Sequence, residues 1–426
     1  MTDAIKPYAP SASSRPILGL TLAIVLSGYQ SLSAFMFYVT DAQRLAYTGV
    51  AALIALVFSL NLPQVRLEPR SWNLVFTWSL LCILPFFPAL THRPPIPGYI
   101  IGDFATITLP LLILVVGMQF PELFRVRPTL LLLALGLLFA SGIGMISTAS
   151  GNARHEAPSS FLIALAWLSF VFRTSRAQAW ATAGVLAYIA FASASSGYRS
   201  SMVHVAMLGA MAYFLRGGFR RVATFGAIFI GLLMVAIIAA PKDVLDEQIR
   251  KMRIATILQG SGDASINARF DEAYDVGQQI RKDWSAINYL VGAGHGATFI
   301  PIRSNPERNI TAYGTVHNIH ATPVLLFYRY GLLGATAFLL VFVLAVRRFF
   351  AIRAAARQGQ IHPGETCITL AILAYLADSF KHVTLVDPVF SFCVAGLIYY
   401  ELRPPRRRSL DAPLERVPAE AKTPEA

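Results

Sequence analysis

The chain is poor in charge and in cysteine. Only 14% of its 426 residues are charged, whereas 55% are hydrophobic and the mean hydropathy is +0.55. An average soluble domain carries about 25% charged residues, and so little charge cannot cover a water-exposed surface of this size. A water-soluble protein is thereby excluded, and an all-α polytopic membrane protein is expected. The three cysteines, Cys82, Cys367 and Cys393, all fall in apolar runs, without CxxC or Cys/His ligand spacing. That excludes a disulfide framework and gives no metal site. The formal net charge is +13, yet no patch interleaves basic with aromatic residues as a nucleic-acid surface does. A cleavable signal is not expected either. Thr2–Arg15 is a polar tail, and the apolar run behind it lasts about 20 residues, long enough to span a bilayer as a retained first helix.

What is present is a succession of apolar runs. They lie at Pro16–Tyr38, Leu45–Leu62, Trp72–Leu90, Tyr99–Phe120, Thr129–Thr148, Ser160–Phe172, Ala177–Ala194, Ser201–Leu215 and Val222–Ala240. Three more follow at Ala321–Val346, Thr366–Phe380 and Leu385–Tyr400. At about 15–25 residues each, they predict about twelve transmembrane helices. The organisation is then a tail over 1–15, nine helices over 16–240, a large loop over 241–320, three helices over 321–402 and a disordered tail over 403–426.

Charge sets the orientation. With the N-terminus inside, more than half of the 36 Lys and Arg fall in inner segments, among them Arg66, Arg125, Arg216, Arg220, Arg347 and Arg353. The short outer loops keep only Arg44, Arg93, Arg154, Arg199 and Lys381. Short loops obey the positive-inside rule, so both termini are expected in the cytoplasm and the 241–320 loop outside.

A loop of about 80 residues between apolar helices is long enough to be functional. Val244, Leu245, Ile249, Met252 and Ile257 alternate with Lys242, Arg250, Lys251 and Arg253, which predicts a basic amphipathic helix on the membrane surface. Ser265 is a candidate cap for a second helix with Phe270, Tyr274 and Ile280 on one face. The stretch Ile300–Ile310 reads as irregular.

Three residues are candidates for chemistry. Arg199, in SASSGYRSS, lies at the outer mouth between two spans. It is either an interfacial arginine reaching for headgroups or part of a tight turn that brings amides to an anion. Arg269, in INARF, is either a solvent-exposed loop residue or a forked donor to phosphate near a helix start. His317, in TVHNIH, precedes a long apolar span, and a neutral imidazole there is suited to general base work. Asn318 and His320 are its polar neighbours, and His317 with His320 forms an HxxH pair for which no third metal ligand presents itself. Gly292, Gly294 and Gly296 in VGAGHG predict a flexible turn; no strand precedes them to make a dinucleotide fold.

SGYRSS at the start of a span, a long outer loop with NARF, then GAGHG and VHNIHATPVLLFYRYGLLG together resemble the O-antigen ligase and O-antigen polymerase superfamily. The resemblance covers Ser195 to Val346; the rest is similar only in hydropathy and span count. It implies a polytopic C-type glycosyltransferase in the bacterial inner membrane with its site facing the periplasm. The donor would be an undecaprenyl-diphosphate-linked glycan and the acceptor a sugar, on lipid A-core for a ligase or on a growing lipid-linked chain for a polymerase. Arg199 and Arg269 would hold the diphosphate and His317 would act on the acceptor hydroxyl, with no metal and no other cofactor. The absence of a DxD-like acidic pair near the loop agrees with that expectation.

The chemistry of the residues fits the same scheme. A departing diphosphate needs its charge stabilised, which preorganised arginines supply. A base on the opposite face of the anomeric carbon gives inversion. Arg281, Arg303 and Arg308 are candidate auxiliaries beside Asn318 and His320, and Tyr274, Trp284, Tyr289 and Tyr313 are candidates for sugar stacking or for packing. A secondary transporter of an anionic solute, with Asp378 as its best intramembrane charge, is the rival reading, followed by a non-catalytic subunit of an export complex.

Overall fold

A computed structural model of the chain describes residues 76, 78–91, 96–119, 124, 160–172, 176–195, 199–239, 264–303, 311, 313–380 and 388–402. Ten helices are named among them: α1 (Phe86–Thr91), α2 (Pro97–Gln119), α3 (Ser160–Val171), α4 (Arg176–Ser195), α5 (Arg199–Ala239), α6 (Ala264–Asp283), α7 (Ala286–Val291), α8 (Thr322–Arg357), α9 (Pro363–Asp378) and α10 (Pro388–Leu402). The described residues contain no strands, only an isolated bridge between Phe299 and Val316. The expected spans at 16–38, 45–62 and 129–148, the amphipathic helix over 244–257 and the C-terminal tail lie outside the described residues.

Among the described residues, two helices are long and apolar enough to cross a membrane, Pro97–Leu114 within α2 and the whole of α8. Only 28% and 22% of their apolar windows is buried. A core helix of a water-soluble protein would bury most of its surface, so these two are suited to a lipid environment. Trp180, Phe219 and Leu339 likewise present large apolar side chains outward.

Two glycines break the long helices. At Gly218 the backbone has φ 70°, and Tyr213 stacks on Phe225 with ring centroids 5.1 Å apart. Twelve residues of continuous helix would separate them by about 18 Å, so the chain reverses at Gly218 and α5 is a pair of antiparallel helices. The expected separation of Ser201–Leu215 from Val222–Ala240 falls at this reversal. In α8, Gly331 has φ 58°, which divides a first stretch, Thr322–Tyr330, from the long apolar remainder.

Among the described residues, packing forms two cores. The larger joins α3, α5, α8, α9 and α10 through Phe161, Leu208, Val341, Ile368, Phe392 and Tyr399. The smaller carries the site: Leu81, Ile107, Val276, Phe299, Val316, Ile319, Leu326 and Tyr328 draw α2, α6, the turn after α7 and the start of α8 together. The Phe299–Val316 bridge, with bonds of 2.9 and 2.8 Å, pairs the two residues that flank the 300–315 stretch, just before His317. The amide of Thr322 donates to the Ser379 carbonyl at 2.7 Å, which anchors the start of α8 to the end of α9.

The loop helix expected behind Ser265 is α6. It starts at Ala264, so Ser265 sits inside the first turn rather than before it. Its inward face is built of Glu272, Asp275 and Val276, with Ile280 partly buried against the small core, while Phe270 and Tyr274 are exposed.

Candidate functional site

Each of the two lipid-compatible helices carries one buried charge. Asp103 is the only acidic residue of α2, and Arg329 is the only charged residue of α8 before Arg347. They meet: Arg329 Nη1 donates to Asp103 Oδ1 at 2.7 Å. Asp103 Oδ2 accepts the Gly296 amide at 2.6 Å, and Arg329 Nη2 donates to the His317 carbonyl at 2.6 Å. Buried ions are tolerated when they are paired and further hydrogen bonded. Here the extra bonds fasten the glycine turn and the His317 backbone to the pair.

His317 is gripped from two sides. Its Nε2 lies 3.5 Å from Asp103 Oδ2, too long for a good hydrogen bond, so this nitrogen is buried with no bonded partner. Its ring stacks on Tyr99, with centroids 3.9 Å apart and 21° between planes. Tyr99 and Asp103 are four residues apart on α2 and so share one helix face. Burial, then the positive charge of Arg329, hold the imidazole below its ordinary value, while Asp103 and Asn318 pull the other way. His317 is therefore neutral near pH 7, the form a general base needs. With 14% of its side chain exposed, it remains within reach of a substrate.

The second histidine answers to a second carboxylate. Glu272, on α6, accepts from His320 at Nδ1 (2.6 Å) and from its backbone amide (3.2 Å). Arg269 Nη1 reaches the same carboxylate at 3.2 Å, while its Nε is buried without a partner. His317 and His320 thus face different carboxylates, and among the described residues no group of three His, Cys, Asp or Glu is placed to hold a metal.

The glycine-rich turn is held rather than flexible. The amides of Ala293 and Gly294 donate to the carbonyls of Tyr328 and Arg329 at 2.8 and 2.9 Å. The break at Gly331 removes the helical partners those two carbonyls would otherwise have. Gly292 has φ 79°, and a Cβ there would lie 2.2 Å from the Arg329 carbonyl, so no other residue allows this approach. His295, in the same turn, is buried. Its Nε2–H donates to the Cys82 carbonyl at 2.8 Å, its ring lies among Phe86, Phe104 and Tyr330, and burial lowers its pKa. It packs the turn against α1 and α2.

The other expected residues disperse. Arg303 lies over the Tyr274 ring at 3.6 Å, and its amide donates to Asp275 at 2.9 Å. Arg281 and Asn318 are exposed. Arg199 opens α5; its side chain, and Arg308 altogether, lie outside the described residues. Trp284 packs on Phe327 and Tyr328, whereas Tyr274, Tyr289 and Tyr313 face outward. A cavity of about 770 Å³ between α5, α8 and α9 is lined by Met207, Phe214, Phe338, Phe342, Leu376 and other apolar side chains. It offers nothing for a charged group.

Reading the sequence alone passed over Asp103, Arg329, Tyr99 and Glu272. For the ion pair a signal was there: a lone acid in one apolar run and a lone base in another are costly unless they meet. Glu272 sits among several other charges of α6 and carried no such mark.

The chain matches no family model and no curated protein.

Proposed function

We propose that the protein is a polytopic glycosyltransferase of the bacterial inner membrane, with about twelve spans and the 241–320 loop in the periplasm. It transfers a glycan from an undecaprenyl-diphosphate donor to an acceptor sugar, with inversion and without a metal. The acceptor hydroxyl oxygen forms a bond to the anomeric carbon, and the bond from that carbon to the diphosphate oxygen breaks. The hydroxyl proton goes to His317, and the electron pair leaves with undecaprenyl diphosphate, whose charge Arg199 and Arg269 balance. The acceptor is lipid A-core sugar for a ligase or a lipid-linked chain for a polymerase.

The observation that carries this reading is His317: neutral, partly buried and braced at the mouth of an apolar helix, on the same short segment as the Glu272-bound His320 to which Arg269 is linked. The apolar cavity among α5, α8 and α9 is suited to a prenyl chain. The test is rescue of a deletion strain of the source bacterium by wild type or His317→Ala, with surface glycans resolved on a gel. Bare lipid A-core with accumulated lipid-linked polymer identifies a ligase; single repeats on the core identify a polymerase. Full rescue by His317→Ala removes the base.

A transporter of an anionic solute is the second reading. The Asp103–Arg329 pair and the approach of Asp378 to His204 at 3.8 Å are charges of the kind found on transport paths. An unchanged glycan profile in the deletion strain would favour it.

A further inference from the structure

The base assigned above has two ring nitrogens, and the geometry distinguishes them. His317 Nε2 points at Asp103 Oδ2 across 3.5 Å, while Arg329 holds both the other carboxylate oxygen and the His317 carbonyl. Tyr99, one turn from Asp103 on the same helix, covers a face of the ring. Oδ2 has a lone pair to spare beyond the Gly296 amide. Backbone, ring plane and ring edge of His317 are therefore each set by a residue of α2 or α8, and neither helix belongs to the loop that carries the histidine.

We propose that Asp103 is a positioning residue that accepts the Nε2 proton of His317, fixes that tautomer and leaves Nδ1 as the atom that receives the acceptor's proton. Arg329 keeps Asp103 charged and correctly aimed. Tautomer selection by a carboxylate behind a catalytic imidazole is a general device, effective through geometry rather than through proton transfer to the acid. The long Asp103–His317 contact suits it, because such bonds tighten when substrate binds. This inference rests on the reading of His317 as base. The charged and titratable groups that face His317 are Asp103 and Tyr99 from α2 and Arg329 from α8; Asn318 beside it is uncharged.

The full-length protein in lipid nanodiscs, labelled with ¹⁵N-histidine, tests the tautomer without a substitution in the protein under study. The His317 signals, identified by their absence in His317→Gln, are expected to show a protonated Nε2 and a bare Nδ1. A protonated Nδ1 overturns the proposal. Diethyl pyrocarbonate, which acylates only unprotonated imidazole, gives the second measurement when the His317 peptide is followed by mass spectrometry across pH. Asp103→Asn removes the charge that favours the imidazolium, so the midpoint of modification is expected to fall by about one pH unit, whereas Asp103→Glu keeps the wild-type midpoint. An unmoved midpoint in Asp103→Asn overturns the role. The glycan-rescue experiment separates the two failures. If His317→Ala rescues fully, the transferase reading falls whatever the tautomer. If His317→Ala fails to rescue and the Asp103→Asn midpoint stays at the wild-type value, only the positioning role falls.

Discussion

Asp103 and Arg329 stand 226 positions apart in the chain and meet at 2.7 Å, each on a helix otherwise apolar around it. Neither charge is tolerable alone, and together they hold the glycine turn and His317. Removing one partner strands a buried ion, for which the expected cost is about 3–5 kcal/mol. Arg329→Ala and Asp103→Ala are therefore each expected to lower the thermal midpoint strongly in detergent or nanodiscs, and the double replacement by less than the sum. Additive losses would mean that the two charges are energetically independent.

The turn gives a sharper contrast. Gly292→Ala places a Cβ 2.2 Å from the Arg329 backbone at φ 79° and is expected to abolish a monodisperse, folded product. Gly277→Ala, inside α6 with nothing within 4 Å, is expected to be neutral or to stabilise by about 0.5–1 kcal/mol. Yield and size-exclusion profile distinguish the two. Equal behaviour would show that the turn is not packed against α8.

His295 and His317 both prefer the neutral form in the fold, chiefly because they are buried. Their folded pKa values lie below the unfolded value near 6.5, so the unfolded chain binds protons first on acidification. Stability is expected to be full above about pH 6.5, to fall as the pH drops below it, and to level off below the folded values. His295→Gln keeps an amide donor in place of Nε2 and removes one titrating group. A shallower decline between pH 7 and 5 is expected in thermal melts; an unchanged slope would show that His295 titrates alike in both states.

Arg269 shares Glu272 with His320 but keeps a buried Nε without a partner. Under the transferase reading, Arg269→Ala is expected to lower turnover by about 10²–10³, the usual effect of removing one preorganised charge-stabilising donor. Arg269→Lys, which keeps the charge but not the fork, is expected to fall in between. Full activity in both variants would remove Arg269 from the diphosphate site.

Much of the scaffold was legible in the chain. The apolar runs at 99–120, 160–172, 177–194, 366–380 and 385–400 became α2, α3, α4, α9 and α10 within a few residues at each end, because hydropathy and helix length are local properties. The helix near Ser265 was legible only in its existence: Ser265 lies inside its first turn, and Phe270 and Tyr274 of the expected apolar face are exposed. His317 stood out through the polar TVHNIH segment in which it sits and through the resemblance that segment carries.

What the tertiary structure alone decided is which groups meet. Asp103 and Arg329 are lone charges in apolar runs that sequence reading passed over, and only packing of α2 against the start of α8 shows that they pair with each other and then with Gly296 and His317. Spacing placed His317 and His320 three residues apart without saying what either meets; the turn between Val316 and Thr322 sends them to Asp103 and Glu272. The glycines read as flexibility and proved to be close backbone approach, since a missing Cβ in sequence looks the same in either case. Sequence periodicity reports which residues must be buried; partner choice across more than 200 residues is settled only when the buried charges have to be satisfied in three dimensions.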